Sequence, residues 1–157
     1  MDQNSSNSKL ENIDQIIFDN QIYAIIIRAK FYDTGIKFFT PNHFSQQIGY
    51  MNRPKGYVIS PHVHTSVPRE VQFTKEVLFI KSGKLRVDFY KDNKDYLESY
   101  ILNKGDTILL SLGGHGFEIL EPTEMIEVKQ GPYYNSKDKV KFVKTDENIF
   151  LVLTYYN

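Results

Sequence analysis

An all-β sandwich or barrel is the fold class that this sequence predicts, on three observations. Aromatic and β-branched residues are abundant, with eleven Tyr, eleven Phe and no Trp. Turn signals recur about every ten residues. No window sustains an apolar helical period through three turns of roughly 3.6 residues. At 157 residues the chain fits one domain with a proper core, and two independent cores would be a squeeze.

The elements follow in order. Met1–Asn12, rich in Ser, Asn and Gln, reads as a frayed terminus, and the single domain runs from Ile13 to Asn157. "IIFDNQIYAIIIRAKF" is two strand-forming runs split by Asp19-Asn20, and "FYDTGIKFF" repeats the pattern around Asp33-Thr34-Gly35, both suited to tight turns. "TPNHFSQQ" predicts one short helix over Pro41–Gln47, with Thr40 as cap and Pro in the first turn. Further strands are expected in "QQIGYM", "GYVISPHVH", "REVQFTKEVLFI", "KLRVDFY", "LESYIL", "DTILLS", "GFEIL", "EMIEVK" and "IFLVLTYY". The lysines of "KDKVKFVK" mark an exposed edge strand.

Charge and composition narrow the function classes. Lys+Arg and Asp+Glu stand at 19 each, so no net positive field points to nucleic acid, and no helix-turn-helix or RNA-recognition pattern is present. Without cysteine there is no disulfide framework and no thiol nucleophile, so a metal would have to be held by His and carboxylates. The polar N-terminus lacks a signal-peptide core and no apolar run approaches the roughly 20 residues that span a bilayer. A cytoplasmic protein with no membrane partner is the expectation.

The chain has four histidines, and "PHVH" sets His62 and His64 one residue apart. On a strand, residues i and i+2 project from one face, so both imidazoles could reach one ion; the other reading is exposed polar surface. By the same alternation Glu70, Gln72, Thr74, Glu76, Leu78 and Ile80 share a face that passes from polar to apolar, as in a barrel with an open mouth and a packed floor.

Around these histidines Gly56 lies six residues before His62, Gly83 seven after Glu76, and His115 ten after Gly105. "G-YVISP-HVH", "E-VLFIKS-G" and "GDTILLSLGGHGFE" resemble the motifs of the cupin superfamily, over residues 56–130. The spacer between His64 and Glu76 is eleven residues, longer than the family's usual few, and Ser111 and Ile119 stand where the second motif has Pro and Asn. The resemblance implies a double-stranded β-helix, or jelly-roll barrel, with extra N-terminal strands. It also implies one divalent transition metal held by His62, His64, Glu76 and His115, with Glu70 as the alternative carboxylate. Three imidazoles and a carboxylate suit Zn, Fe, Mn or Ni, and ligand type does not choose among them.

Other residues carry paired readings. Glu127 and Lys129 share a strand face and are either acid/base partners, with Glu70, in the pocket or an exposed ion pair. Arg69, Gln72, Arg53 and Tyr50 either rim the mouth and hold a substrate or are solvated. Gly113, Gly114 and Gly116 read as a turn in preference to a phosphate cradle, and His43 as a surface or capping residue. Cupins commonly pair, so a homodimer is expected. The resemblance to small cupins of sugar and polysaccharide pathways implies a metal-dependent isomerase or epimerase acting on a small polar metabolite such as a sugar or sugar-nucleotide. The alternatives are an Fe-dependent dioxygenase and a non-catalytic module that binds a small-molecule ligand.

Overall fold

The computed structural model describes residues 10–132 and 139–143, and the backbone of 151–152. Every regular element among them is a strand. The expected frayed terminus lies outside the described residues as far as residue 9; from Leu10 the chain is turned, with Ile13 N donating to Leu10 O at 3.1 Å.

β1 (Ile13–Phe18) and β2 (Gln21–Ile27) form the first hairpin, and Asp19 and Asn20 close it at φ 49° and 57°. Both are in the left-handed region, as a two-residue type I′ turn requires and as Asp and Asn tolerate. β3 (Gly35–Phe38) pairs with β4 (Gly49–Asn52) as a separate two-stranded sheet. Phe31 and Tyr32 are not in a strand, so Asp33-Thr34-Gly35 leads into β3 and is not the centre of a hairpin.

The helix expected over Pro41–Gln47 is absent. Thr40 Oγ1 donates to Gln47 Oε1 at 2.7 Å, and Gln47 Nε2 donates to Pro41 O and Phe44 O, each at 2.9 Å. The capping residues are used, but on each other across a compact loop, and Ile48 N donates to Thr40 Oγ1 at 3.2 Å to seal it.

β5 (Glu76–Tyr90) is the axis of the main sheet. One edge pairs first with β7 (Thr107–Leu110) and then with β6 (Tyr96–Asn103); the other pairs along its whole length with β8 (Gly114–Lys129). The order is β1-β2-β7-β5-β6 with β8 on β5, all antiparallel, curled into a half-barrel. β8 takes no second neighbour among the described residues. β9 (Phe142–Val143) pairs with β10 (Leu151–Val152), while Val140 is exposed. The rest of "IFLVLTYY" lies outside the described residues.

One core cluster gathers Ile16, Tyr23, Ala24, Ile26, Leu78, Ile80, Leu85, Val87, Phe89, Leu102, Ile108 and Leu110; a second joins Ile25, Ile27 and Leu109 to Phe31, Phe39 and Ile48 from the segment before β4. Full burial of each such aliphatic side chain contributes roughly 1.5–3 kcal/mol. The turn between β6 and β7 is fixed by Asp106, whose carboxylate accepts from Ala29 N at 2.8 Å, Asn103 N at 3.0 Å and Arg28 Nη1 at 3.0 Å.

Two long strands replace four predicted short ones. "REVQFTKEVLFI" and "KLRVDFY" become β5, which starts only at Glu76, and "GFEIL" and "EMIEVK" become β8. The expected breaks, Ser82-Gly83 and Pro122-Thr123, are facing bulges in one ladder, where the register shifts between Ile80 and Leu85. Gly83 takes φ 81° and sits so close to Pro122 that a Cβ would lie 2.1 Å from its carbonyl oxygen. Thr123 Oγ1 stitches the gap, accepting from Lys84 N at 3.1 Å.

Candidate functional site

β5 would span about 50 Å if straight, at roughly 3.3 Å per residue. Yet Glu76 at its start meets His115, whose ladder partner is Phe89 near its end: His115 Nε2 donates to Glu76 Oε2 at 3.2 Å. The β5–β8 ribbon therefore folds back on itself, and the bulges at Gly83 and Pro122 are where it bends. Both residues line a cavity of about 870 Å³, within the range of small-molecule sites.

Local anchors hold both partners. Lys75 N donates to Gln130 Oε1 at 3.2 Å, and Gln130 Nε2 donates to Ser45 Oγ at 3.1 Å, which fixes the chain entering Glu76. On the other side Ser111 Oγ donates to Ile22 O at 2.5 Å and Ser111 N to Tyr23 O at 2.9 Å. Gly113 follows at φ 71°, where a Cβ would stand 2.1 Å from the Tyr23 ring. The turn expected from the glycines is thus Ser111–Gly113, and Gly114, His115 and Gly116 already belong to β8.

Glu76 and His115 are partly buried, with 19% and 29% of their side chains exposed. The hydrogen bond from His115 holds the Glu76 carboxyl below its ordinary value; burial opposes this, and the positive fields of His115, Lys129 and Lys139 assist. An ionised carboxylate against an imidazole can move a proton to or from a bound molecule or offer two donor atoms to a cation.

The other predicted residues are distributed as follows. The segment from Arg53 to Lys75 carries no strand, which corrects the expected strand "GYVISPHVH". Pro54, Pro61 and Pro68 withhold backbone donors along it. His62 and His64 are exposed there, ring centroids 5.3 Å apart, with His62 Nδ1 2.9 Å from Ser60 O. Among the described residues no group of three or more His, Asp or Glu side chains is gathered closely enough to hold a metal. Glu70, Arg69 and Gln72 are exposed in the same segment, Arg69 reaching Val67 O at 3.5 Å.

Arg53 stacks on Tyr57, 4.6 Å from the ring centroid, and Tyr50 packs edge-on against Phe31 at 5.0 Å in the second core cluster. Neither lines the cavity. Glu127 does line it and is paired with Lys129 at 3.8 Å. His43 lies exposed against Phe44, as expected of a surface residue.

Sequence reasoning missed Asp92, Lys139 and Lys141, which also line the cavity, as do Phe73, Tyr90 and Phe142. The alternation of lysines in "KDKVKFVK" was the available signal, since residues 139 and 141 of an extended chain project to one side. Among the described residues no helix is long and apolar enough to cross a membrane. No family model matches the chain, and neither a curated protein nor a solved structure matches it.

Proposed function

We propose that this protein is a metal-binding cupin, a closed jelly-roll relative of the half-barrel, that isomerises or epimerises a small polar metabolite such as a sugar or sugar-nucleotide. The observation that carries the reading is the Glu76–His115 contact: two residues 39 positions apart, singled out by motif spacing, meet inside a cavity of metabolite size. One carboxylate and one imidazole are a fitting half of the expected donor set. His62 and His64 are the other half, side by side on a segment that runs directly into Glu76. The twelve steps from His64 to Glu76 can span up to about 40 Å when extended, so the tether does not keep them from the site.

In this reading the segment from Arg53 to Lys75 folds over the mouth and brings both histidines to Glu76 and His115. A bound divalent ion would supply polarisation of a carbonyl or hydroxyl oxygen. Glu127, on the cavity wall, takes the proton from carbon and returns it, with Lys129 3.8 Å away. Phe73 and Phe117 line the cavity and offer flat apolar faces to a sugar ring.

The test is metal analysis of the purified chain after loading with Fe, Mn, Ni or Zn, followed by incubation with candidate sugars in deuterated water. One ion per chain, lost in the His62→Ala/His64→Ala variant, and solvent deuterium at one substrate carbon are expected. An ion retained in full by that variant refutes the ligand set, and oxygen uptake in place of deuterium exchange replaces isomerisation with the dioxygenase reading. A non-catalytic binding module is favoured by one observation, that Glu76 already has a hydrogen-bond partner in His115. That reading predicts ligand affinity unchanged in the His62→Ala/His64→Ala variant.

A further inference from the structure

The cavity holds a pair of cations that the proposed chemistry does not use. Lys139 and Lys141 both line it, on the short stretch before β9. Neither makes an ion pair with a described residue, whereas the other lysine nearby, Lys129, is engaged by Glu127 at 3.8 Å. The stretch is fastened to the wall next to His115: the Phe142 ring stacks edge-on against Tyr90 at 5.1 Å, and Phe142 lies so close to Gly114 that a Cβ there would be 3.3 Å from its ring. Lys139 is also near enough for its charge to be felt by Glu76 across the cavity.

Of the acidic residues on the lining, Glu76 is met by His115 and Glu127 by Lys129. Among the described lining residues, Asp92 is the remaining acidic one. The cavity thus offers two ammonium groups on one short anchored stretch to whatever enters.

We propose that Lys139 and Lys141 form an anion subsite, so that the ligand of this cavity carries a phosphate or carboxylate group seated between them and its reacting part toward Glu76 and His115. Two ammonium groups two residues apart act as paired point charges on one anionic group, the way lysine serves phosphate sites. The inference rests on the proposed function for the position of the reacting part only. Binding of the anion itself needs no metal and no turnover.

The full-length protein is titrated with inorganic phosphate at constant ionic strength, with a chelator present, and backbone amide shifts are followed by nuclear magnetic resonance. Saturable shifts are expected at Lys139–Val143 and at Gly113–Phe117, with half-saturation raised about tenfold, the scale of losing charge-assisted contacts, in Lys139→Gln/Lys141→Gln. Both lysines are exposed, so the variant folds, and Lys30→Gln/Lys104→Gln, at exposed positions off the cavity lining, controls for loss of charge and retains wild-type binding. Sodium acetate is the second arm: a response at those amides to phosphate alone assigns a phosphate site, and a response to acetate assigns a carboxylate site. No saturable response to either anion, or equal binding in Lys139→Gln/Lys141→Gln, overturns the subsite. The metal and deuterium-exchange results are unaffected by that outcome, so the two proposals fail separately.

Discussion

Asp106→Ala is expected to be among the most damaging single changes outside the apolar core. Asp106 is 3% exposed, and its carboxylate accepts two backbone N–H groups, from Ala29 at 2.8 Å and Asn103 at 3.0 Å, together with Arg28 Nη1 at 3.0 Å. Arg28 keeps Asp14 at 2.7 Å and Ile101 O at 2.6 Å, so its charge stays paired when Asp106 is removed. The two backbone donors do not. A hydrogen bond to a charged acceptor contributes about 1.5–3 kcal/mol, and the lower end applies to these part-buried contacts, so the loss works out at about 4 kcal/mol with the Arg28 contact included. In a chain of this size that lowers the melting temperature by on the order of 10 °C. Asp106→Asn keeps one carbonyl oxygen for Ala29 and turns an amide group toward Asn103 and Arg28, so about half that loss is expected. Urea unfolding followed by far-ultraviolet circular dichroism measures both. An alanine variant within about 1 kcal/mol of wild type would mean that water already satisfies these donors, and the account of the turn would be wrong.

Three further outcomes are expected. Glu76 has a depressed folded value, so its pairing stabilises fully above the ordinary 4.5, and the gain is lost as pH falls through the lower folded value. In metal-free protein, the stability gap between wild type and His115→Ala should therefore shrink below pH 4.5; a gap that stays constant from neutrality to pH about 3 contradicts the pairing. Gly83→Ala places a Cβ 2.1 Å from Pro122 O at φ 81°, and a loss of about 2–5 kcal/mol in urea midpoint analysis is expected, an unchanged midpoint being the refuting result. His62→Ala and His64→Ala, both exposed, should leave metal-free stability within about 0.5 kcal/mol and weaken metal binding by about tenfold or more. A core-sized fall in melting temperature would show that the histidines pack in the free protein.

Composition and spacing made the β class legible, along with the Asp19-Asn20 turn. These are local matters: a left-handed turn needs particular residues, and strand formers declare themselves by type. The union of short runs into β5 and β8 was not legible, because Gly83 and Pro122 each look like a terminator until they are seen opposite one another. Thr40 and Gln47 misled for a similar reason, since a side chain able to cap a helix can equally close a loop. At the site, motif spacing pointed to Glu76 and His115, which do meet, whereas Lys139 and Lys141 belong to no motif and enter the cavity because Phe142 anchors on Tyr90.

The bend at Gly83 also acts as a lever. Seven residues separate it from Glu76, an arm of roughly 23 Å at 3.3 Å per residue. A change of about 5° in the bend swings the arm's tip by about 2 Å, and displacements of about 1 Å can cost a reaction a hundredfold. Tolerance at the Glu76–His115 pair is therefore set far from it, by how tightly Thr123 and Pro122 clasp Gly83. Substitutions in that clasp should behave as tuning mutations, altering the aperture of the cavity while every residue on its wall stays the same.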